Sequence, residues 1–380
     1  MRAMEAGRDI KALTANRLRA LYQWHSSSLS CEVLGSGKYG TVYAAGGDRA
    51  SVMKESVTKG ARPSLRKQAF REHVIALLQS LMVLEGCTPH LPLHYAVSIS
   101  ACGPCMRGNM FMERFSGSLV DLAAKCLRSD EDWVCLLFQL LSTFAALGAV
   151  FGISHNDAYP RNILISQDTR AQRVVYRCGS ATYALRWPFF AAVTDFGIAT
   201  STSLMGALQC PEVSDGLVDL EPASDFGSAA PEHHILKYKR LPTFCRDAYT
   251  VLKWVRFCSK SLPEAPTPVR RWAGASLALL DSVRGQCDAP EGLLHFVQEI
   301  FEDDWLRACG LSLRLRVSST EPPDFAFPVS EDRKEEMLRR AAAALQGLPL
   351  REDPEARSAV ASGRPCQGGK GNGRKHDVYR

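Results

Sequence analysis

From Trp133 to Ser154 the chain reads WVCLLFQLLSTFAALGAVFGIS, 22 residues without a charged side chain. A helix of that length matches the ~30 Å hydrocarbon thickness of a bilayer, so it either crosses a membrane or is buried on all sides by protein. Gln139, Ser142, Thr143 and two glycines dilute the stretch, and His155-Asn156-Asp157 follows it at once. These features favour a buried core helix over about 131–151, and no membrane span is expected. Of the 380 residues, 46% are hydrophobic and 23% charged, which excludes disorder as the main state and excludes a collagen-like or coiled-coil rod. The net charge of +6 is too mild to argue for nucleic acid. Thirteen cysteines lie scattered from Cys31 to Cys366, and charges occupy the N-terminus where a signal core would be apolar. The expectation is an intracellular chain, cytoplasmic or nuclear, whose cysteines are mostly small buried hydrophobes.

Along the chain, residues 1–29 read as an N-terminal helical extension that breaks at Ser26-Ser27-Ser28. Residues 30–115 are β-rich, with a glycine loop between two short strands, a turn at Gly46-Gly47-Asp48 and one helix over 64–84. Residues 116–347 are dominated by helices, at 119–128, 131–151, 245–258, 270–284, 290–303 and 331–346. A β-rich island at 163–199 interrupts them, and within it 167–187 reads as a polar-aromatic insertion. Residues 348–380 end in ASGRPCQGGKGNGRKHDVYR, which is expected to be a disordered basic tail. Its charges could touch nucleic acid or anionic lipid but read as solvated.

Three clusters carry chemistry. Gly35, Gly37 and Gly40, followed by Val42, form G-x-G-x-x-G-x-V between two β-type runs. A dinucleotide motif would run from a strand into a helix, so this one reads as a flap whose backbone N–H groups cover phosphates. Lys54 follows inside an apolar strand, where an ammonium needs partners. Polyphosphate oxygens would serve, with Glu72 on the next helix holding the lysine in preference to Glu85. In the second cluster, His155-Asn156-Asp157-Ala158-Tyr159-Pro160-Arg161-Asn162, an aspartate and an asparagine five apart share one turn. The third is Asp195-Phe196-Gly197, an aspartate leaving an apolar strand. Asn162 and Asp195 offer hard oxygen ligands for Mg²⁺ on a nucleotide, and Asp157 is left to receive or orient a hydroxyl.

In order and type, these motifs resemble the protein-kinase signature over about residues 30–310. The resemblance implies an α+β, bilobal protein-kinase-like fold, with a small β-rich N-lobe and a larger, mainly helical C-lobe. It implies ATP under Gly35, Gly37, Gly40 and Val42, with Lys54 on its α- and β-phosphates and Glu72 paired to Lys54. Asp157 would receive the substrate hydroxyl, and Asn162 and Asp195 would hold Mg²⁺. Met112-Glu113-Arg114-Phe115 resembles the hinge whose backbone binds adenine, which places Glu113 and Phe115 in the nucleotide site. Ala230-Pro231-Glu232 resembles the close of an activation segment, and Asp247 matches a buried aspartate opening the next helix.

Some residues depart from the pattern. Asn156 stands in place of the usual catalytic-loop arginine, which implies activity without activation-loop phosphorylation. Tyr159 replaces a lysine, and Arg161 could neutralise the transferred phosphoryl instead. Pro160 favours Ser/Thr over Tyr acceptors. The long 157–195 span and short helical part resemble divergent kinases of large DNA viruses. The implied protein is a monomer that phosphorylates Ser/Thr hydroxyls of protein substrates. Two other readings use the same residues: a pseudokinase scaffold, and a small-molecule kinase like the choline and aminoglycoside kinases. Lys54, Asp157, Asn162 and Asp195 together argue against the first, and Ala230-Pro231-Glu232 against the second. A second Asp225-Phe226-Gly227 reads as chance. Cys102-Gly103-Pro104-Cys105 lies between strands rather than before a helix, against a redox site. With Cys87 and His90 it could form a zinc site, but His90-Leu91-Pro92-Leu93-His94-Tyr95 also resembles the ordinary turn after the kinase helix, and the turn is the favoured reading.

Overall fold

The computed structural model describes residues 32–37, 40–44, 51–58, 63–102, 105–167, 173–197, 199–201, 245–257, 262–283, 290–346 and 351–352. The expected helix within 1–29, the 46–48 turn, the second Asp-Phe-Gly at 225–227 and Ala230-Pro231-Glu232 all lie outside them. The described residues form a mixed α+β protein with mainly antiparallel sheets and eight α-helices.

Strands β1 (Val33–Gly37), β2 (Gly40–Ala44) and β3 (Ser51–Thr58) make an antiparallel meander. Helix α1 (Pro63–Leu84) leads to β4 (His94–Cys102) and β5 (Cys105–Glu113), and the sheet order is β1-β2-β3-β5-β4. Beyond Glu113 the chain leaves this sheet. Strand β6 (Gly117–Ser118) belongs to a second one, and helices α2 (Leu119–Cys126) and α3 (Asp130–Phe151) follow.

Helix α3 is the apolar stretch singled out in the sequence. Ser129 and Asp132 form a capping box, three acidic residues in the first turn favour its positive end, and Gly152 (φ 59°) closes it. Among the described residues it is the one helix long and apolar enough to cross a membrane, and 94% of its most apolar window is buried inside the protein. Phe138 at its centre meets Tyr176, Tyr183 and Phe301 at ring-centroid distances of 5.1, 5.1 and 5.0 Å. Each side chain of this size contributes about 1.5–3 kcal/mol when fully buried. Covering by protein on every side is why the helix needs no charge.

After α3 come β7 (Ile153–Ser154) and a 3₁₀ turn at Pro160–Asn162. Next are β8 (Ile163–Ser166), β9 (Arg173–Cys178), β10 (Ala181–Arg186), β11 (Phe190–Val193) and β12 (Thr200–Ser201). Helices α4 (Cys245–Arg256), α5 (Thr267–Ser282) and α6 (Pro290–Ile300) gather around α3, and the short α7 (Asp303–Ala308) packs on α6. Strand β13 (Phe325–Phe327) and helix α8 (Glu331–Gln346) follow, then β14 (Arg351–Glu352).

Two expectations need correction. The 167–187 insertion, read as a polar-aromatic excursion, is aromatic but not polar at its centre. Its described part is the hairpin β9–β10, extended by β13 into a third sheet, with Val174, Tyr176, Cys178 and Tyr183 at 0–1% exposure. Its arginines sit at strand ends and conceal a core that is buried on both faces. The segment read as a disordered tail begins with order, because Arg351 and Glu352 pair in parallel with Ser100 and Ala101 on the edge of β4. Upstream, α8 lies along α1, and its Arg333 and Arg340 both bind Glu85. That carboxylate is therefore committed away from Lys54.

Candidate active site

The glycine-rich segment is the closed end of the β1–β2 hairpin, with Gly35 opposite Val42 and Gly37 opposite Gly40. It runs strand to strand, as a flap requires. Gly40 adopts φ 150°, and a Cβ there would lie 2.2 Å from the Glu55 carbonyl oxygen, so only glycine fits. At Gly35 an added Cβ meets nothing within 4 Å. The fold itself does not demand that glycine, and the open space beside it is part of a cleft of about 720 Å³.

The cleft lies between the first sheet and the helical remainder. Its walls are Val42, Val52, Lys54 and Met112 on one side and Asp157, Asn162, Leu164 and Asp195 on the other. Lys54 stands in β3 opposite Val42, and its side chain is only 14% exposed. Its Nζ lies 3.5 Å from Asp195 Oδ1, which ties the sheet to the far wall. Glu72 is on α1, but its side chain lies outside the described set.

Backbone crossing between the two parts supplies a hydrogen-bonding edge. The Glu113 carboxylate accepts the Leu93 N–H at 3.4 Å, and the Glu113 N–H donates to the Leu93 carbonyl at 2.9 Å. Arg114 and Phe115 also border the cleft. The Phe115 N–H donates to no acceptor among the described residues, since the chain resumes bonding at Ser116 N–H to the Ile165 carbonyl, 2.9 Å.

The lower wall is a network of short bonds. Asp247, at the start of α4 and 2% exposed, accepts the N–H of His155 at 2.6 Å and of Asn156 at 2.8 Å. Burial pushes its carboxyl upward, against the pull of the His155 ring and of those two N–H groups. Asn156 has φ 67°, a left-handed backbone that asparagine tolerates well, which accounts for Asn at this position rather than a long side chain. The His155 ring is oriented at both nitrogens. Nδ1 accepts the Asp157 N–H at 3.1 Å, and Nε2 donates to the Thr194 carbonyl at 2.9 Å. Phe196 meets that ring edge-on at 4.5 Å.

Asp157 is held by its neighbours in the turn. Arg161 Nη2 donates to Oδ1 at 3.0 Å and to Oδ2 at 2.9 Å, and Asn162 Nδ2 donates to Oδ2 at 2.7 Å and to the Asp157 carbonyl at 2.9 Å. Oδ2 thus accepts two hydrogen bonds and Oδ1 one, and because a carboxylate oxygen can accept two, Oδ1 keeps one acceptor position. Both partners of the Asn162 amide nitrogen are acceptors, which fixes the amide orientation and leaves Asn162 Oδ1 with no donor among the described residues. The Thr194 N–H bonds the Asn162 carbonyl at 2.9 Å, one step beyond the Val193–Ile163 pair of β11 and β8. Asn162 and Asp195 therefore leave adjacent strand ends. Asp195 also has φ 67°, a strained turn of the kind found where a side chain must be aimed.

Hard oxygen donors on adjacent strand ends, a near-buried ammonium, an open glycine flap and a free backbone donor fit a magnesium nucleotide. Arg161 is 64% exposed and stacks over the Tyr159 ring at 5.0 Å, at the mouth of the cleft.

The remaining sequence candidates separate. Cys102 and Cys105 face each other across the β4–β5 hairpin, but their side chains lie outside the described set. The His90 ring is used at both nitrogens, by the Ala191 carbonyl at 2.9 Å and the Tyr176 hydroxyl at 2.7 Å. Burial pushes the Cys87 thiol up to about 12, so it is no ready thiolate. Among the described residues no group of three His, Cys, Asp or Glu could hold a metal ion. Sequence reasoning placed Phe115 in the site through the backbone of the crossing and read His90 as either a zinc ligand or part of an ordinary turn, but it missed the bonds that His90 makes to Ala191 and Tyr176. A scan of the chain against protein-family models gives no match, and a search of curated proteins also gives none.

Proposed function

We propose that this chain is an ATP- and Mg²⁺-dependent protein kinase of two lobes, transferring the γ-phosphoryl group to Ser or Thr hydroxyls of protein substrates. The observation that carries the reading is the Lys54–Asp195 pair facing the Asp157–Arg161–Asn162 cluster across one cleft roofed by the glycine hairpin.

Each residue then has a physical task. The Lys54 ammonium neutralises phosphate charge where little water competes, and such preorganised charge is commonly the largest catalytic term. The flap's peptide N–H groups cover the phosphates, and the Phe115 N–H donates to the base. Asn162 and Asp195 would hold Mg²⁺, which supplies charge neutralisation to the phosphates. Asp157 orients an incoming hydroxyl through the open position on Oδ1 and accepts its proton there. Arg161 keeps Asp157 in place and puts a guanidinium beside the oxygens that gain charge. The 155–162 loop is held by Asp247 rather than by a basic side chain at residue 156, which supports activity independent of activation-loop phosphorylation.

The test is incubation with [γ-³²P]ATP, Mg²⁺ and generic protein acceptors, followed by phosphoamino-acid analysis. Label on serine or threonine is expected. Label confined to small-molecule acceptors, or nucleotide binding without any transfer, would overturn the protein-kinase assignment.

A further inference from the structure

Strand β11 runs directly into Asp195, yet among the described residues it has a strand partner on one edge only, β8. Its other edge is satisfied by individual residues. Gln139 of α3 accepts the Ala191 N–H at 2.8 Å and donates to the Phe189 carbonyl at 3.2 Å. His90 does the rest. Its carbonyl accepts the Val193 N–H at 3.0 Å, and its ring Nδ1 bonds the Ala191 carbonyl at 2.9 Å. A carbonyl only accepts, so Nδ1 carries the proton, and Nε2 of the neutral ring accepts the hydroxyl of Tyr176 at 2.7 Å. Tyr176 belongs to β9, within the insertion hairpin, and is 1% exposed. The His90 ring is also stacked against Tyr176 and Phe190, and Trp187 lies 5.2 Å away.

We infer that Tyr176, acting through His90, is a positioning residue for Asp195. Through that ring the insertion hairpin braces the edge of β11 that has no strand partner among the described residues, and so steadies the left-handed turn at Asp195. This rests on the phosphotransferase reading for its consequence but not for its mechanics. The hydroxyl is 2.7 Å from a ring whose opposite nitrogen is bonded to the strand. Without the hydroxyl the ring loses one of its two anchors, and the β11 edge beside Val193 loosens.

Two readouts separate the mechanics from the reading. The first is amide hydrogen exchange over 190–196 in the full metal-free chain, for wild type, Tyr176→Phe and Tyr183→Phe. Tyr183 is the control, since its hydroxyl bonds the Gln298 carbonyl at 3.2 Å from the same hairpin without touching β11. Exchange is expected to quicken about five-fold in Tyr176→Phe, the change given by losing one hydrogen bond of ordinary net strength. It should stay at the wild-type rate in Tyr183→Phe. Equal behaviour of the two variants overturns the inference. If Tyr176→Phe does not fold, His90→Phe against His90→Asn decides. An asparagine amide can still reach the Ala191 carbonyl, so the phenylalanine variant should exchange faster, and equal rates overturn the inference.

The second readout is the Mg²⁺ concentration at half-maximal phosphotransfer. It should rise severalfold in Tyr176→Phe while metal-free ATP affinity stays constant, and an unchanged Mg²⁺ requirement contradicts the role in aiming Asp195. Absence of transfer in the wild type, with the exchange pattern as expected, sinks the kinase reading and leaves the mechanical tie standing.

Discussion

Val33 and Leu34 of the glycine hairpin are 57% and 39% exposed, whereas His155 and Asn162 on the opposite wall are 0% and 5% exposed. Strand β1 is the outer strand of its sheet, held by its ladder to β2, which in turn pairs with β3 and brings Gly40 close to Glu55. The loop is tied by hydrogen bonds reaching it from α4 and from the turn after β11. On the proposed reading a flap has to open to admit a nucleotide, and the outer position of β1 keeps that motion cheap. A carboxylate that must meet a hydroxyl has to stay within about half an ångström of its place, and hydrogen bonds on every side achieve that. One cleft therefore joins a loosely held roof to a tightly held floor.

The contrast is broken most severely at Asp247. Asp247→Ala leaves two buried N–H donors unpaired, at about 1–3 kcal/mol each, so a loss of roughly 2–6 kcal/mol in urea unfolding is expected, together with loss of activity. Lys54→Met should act on chemistry alone. Removing one preorganised charge costs a factor of about 10²–10³ in turnover, while the melting temperature should move little because the Lys54–Asp195 contact, at 3.5 Å, is long for a charge-assisted bond. A large drop in stability would mean that Lys54 is a structural residue.

The roof is sharpened by a pair of glycine variants. Gly40→Ala forces a Cβ to 2.2 Å from a backbone oxygen at φ 150°, and should destabilise by about 1–3 kcal/mol in thermal unfolding. Gly35→Ala, with nothing within 4 Å, should leave the unfolding curve unchanged and weaken ATP binding measured by calorimetry. Equal stability loss in both would show that the open space at Gly35 is not kept for a ligand.

The smallest effect is expected far from the cleft, at Glu85. Burial alone would raise its carboxyl, but the Arg340 and Arg333 guanidiniums outweigh that and hold it below the ordinary 4.5. The group is thus ionised in the folded chain at pH values where the unfolded chain binds a proton. Its stabilisation is complete above pH 4.5 and is lost as pH falls through the lowered value. Glu85→Gln should remove under about 1 kcal/mol at neutral pH and flatten that part of the acid limb of the stability profile.

Much of this arrangement was legible in the sequence because it rests on local chemistry. The uncharged run before His155 could only be a spanning or buried helix, and the glycines between two β-type runs predicted a hairpin. The Asp157–Asn162 spacing predicted one turn, which the structure closes with a 2.7 Å bond. The insertion was not legible. Arg173, Arg177 and Arg186 gave it a polar look, while the strand that completes its sheet, Phe325–Phe327, is three residues long and more than a hundred positions away. Nor did anything local foretell the bonds of His90, whose partners Ala191 and Tyr176 meet it through tertiary packing. Arg351 and Glu352 sit beside a Gly-rich basic stretch, and their strand comes from the edge of β4 rather than from their own pattern.

The account stands most directly on Asp157. Transfer of label from [γ-³²P]ATP to protein should fall by about 10²–10⁴ in Asp157→Asn relative to wild type, the usual contribution of a general base, with ATP affinity unchanged. An Asp157→Asn variant that transfers phosphate as fast as the wild type would contradict the account.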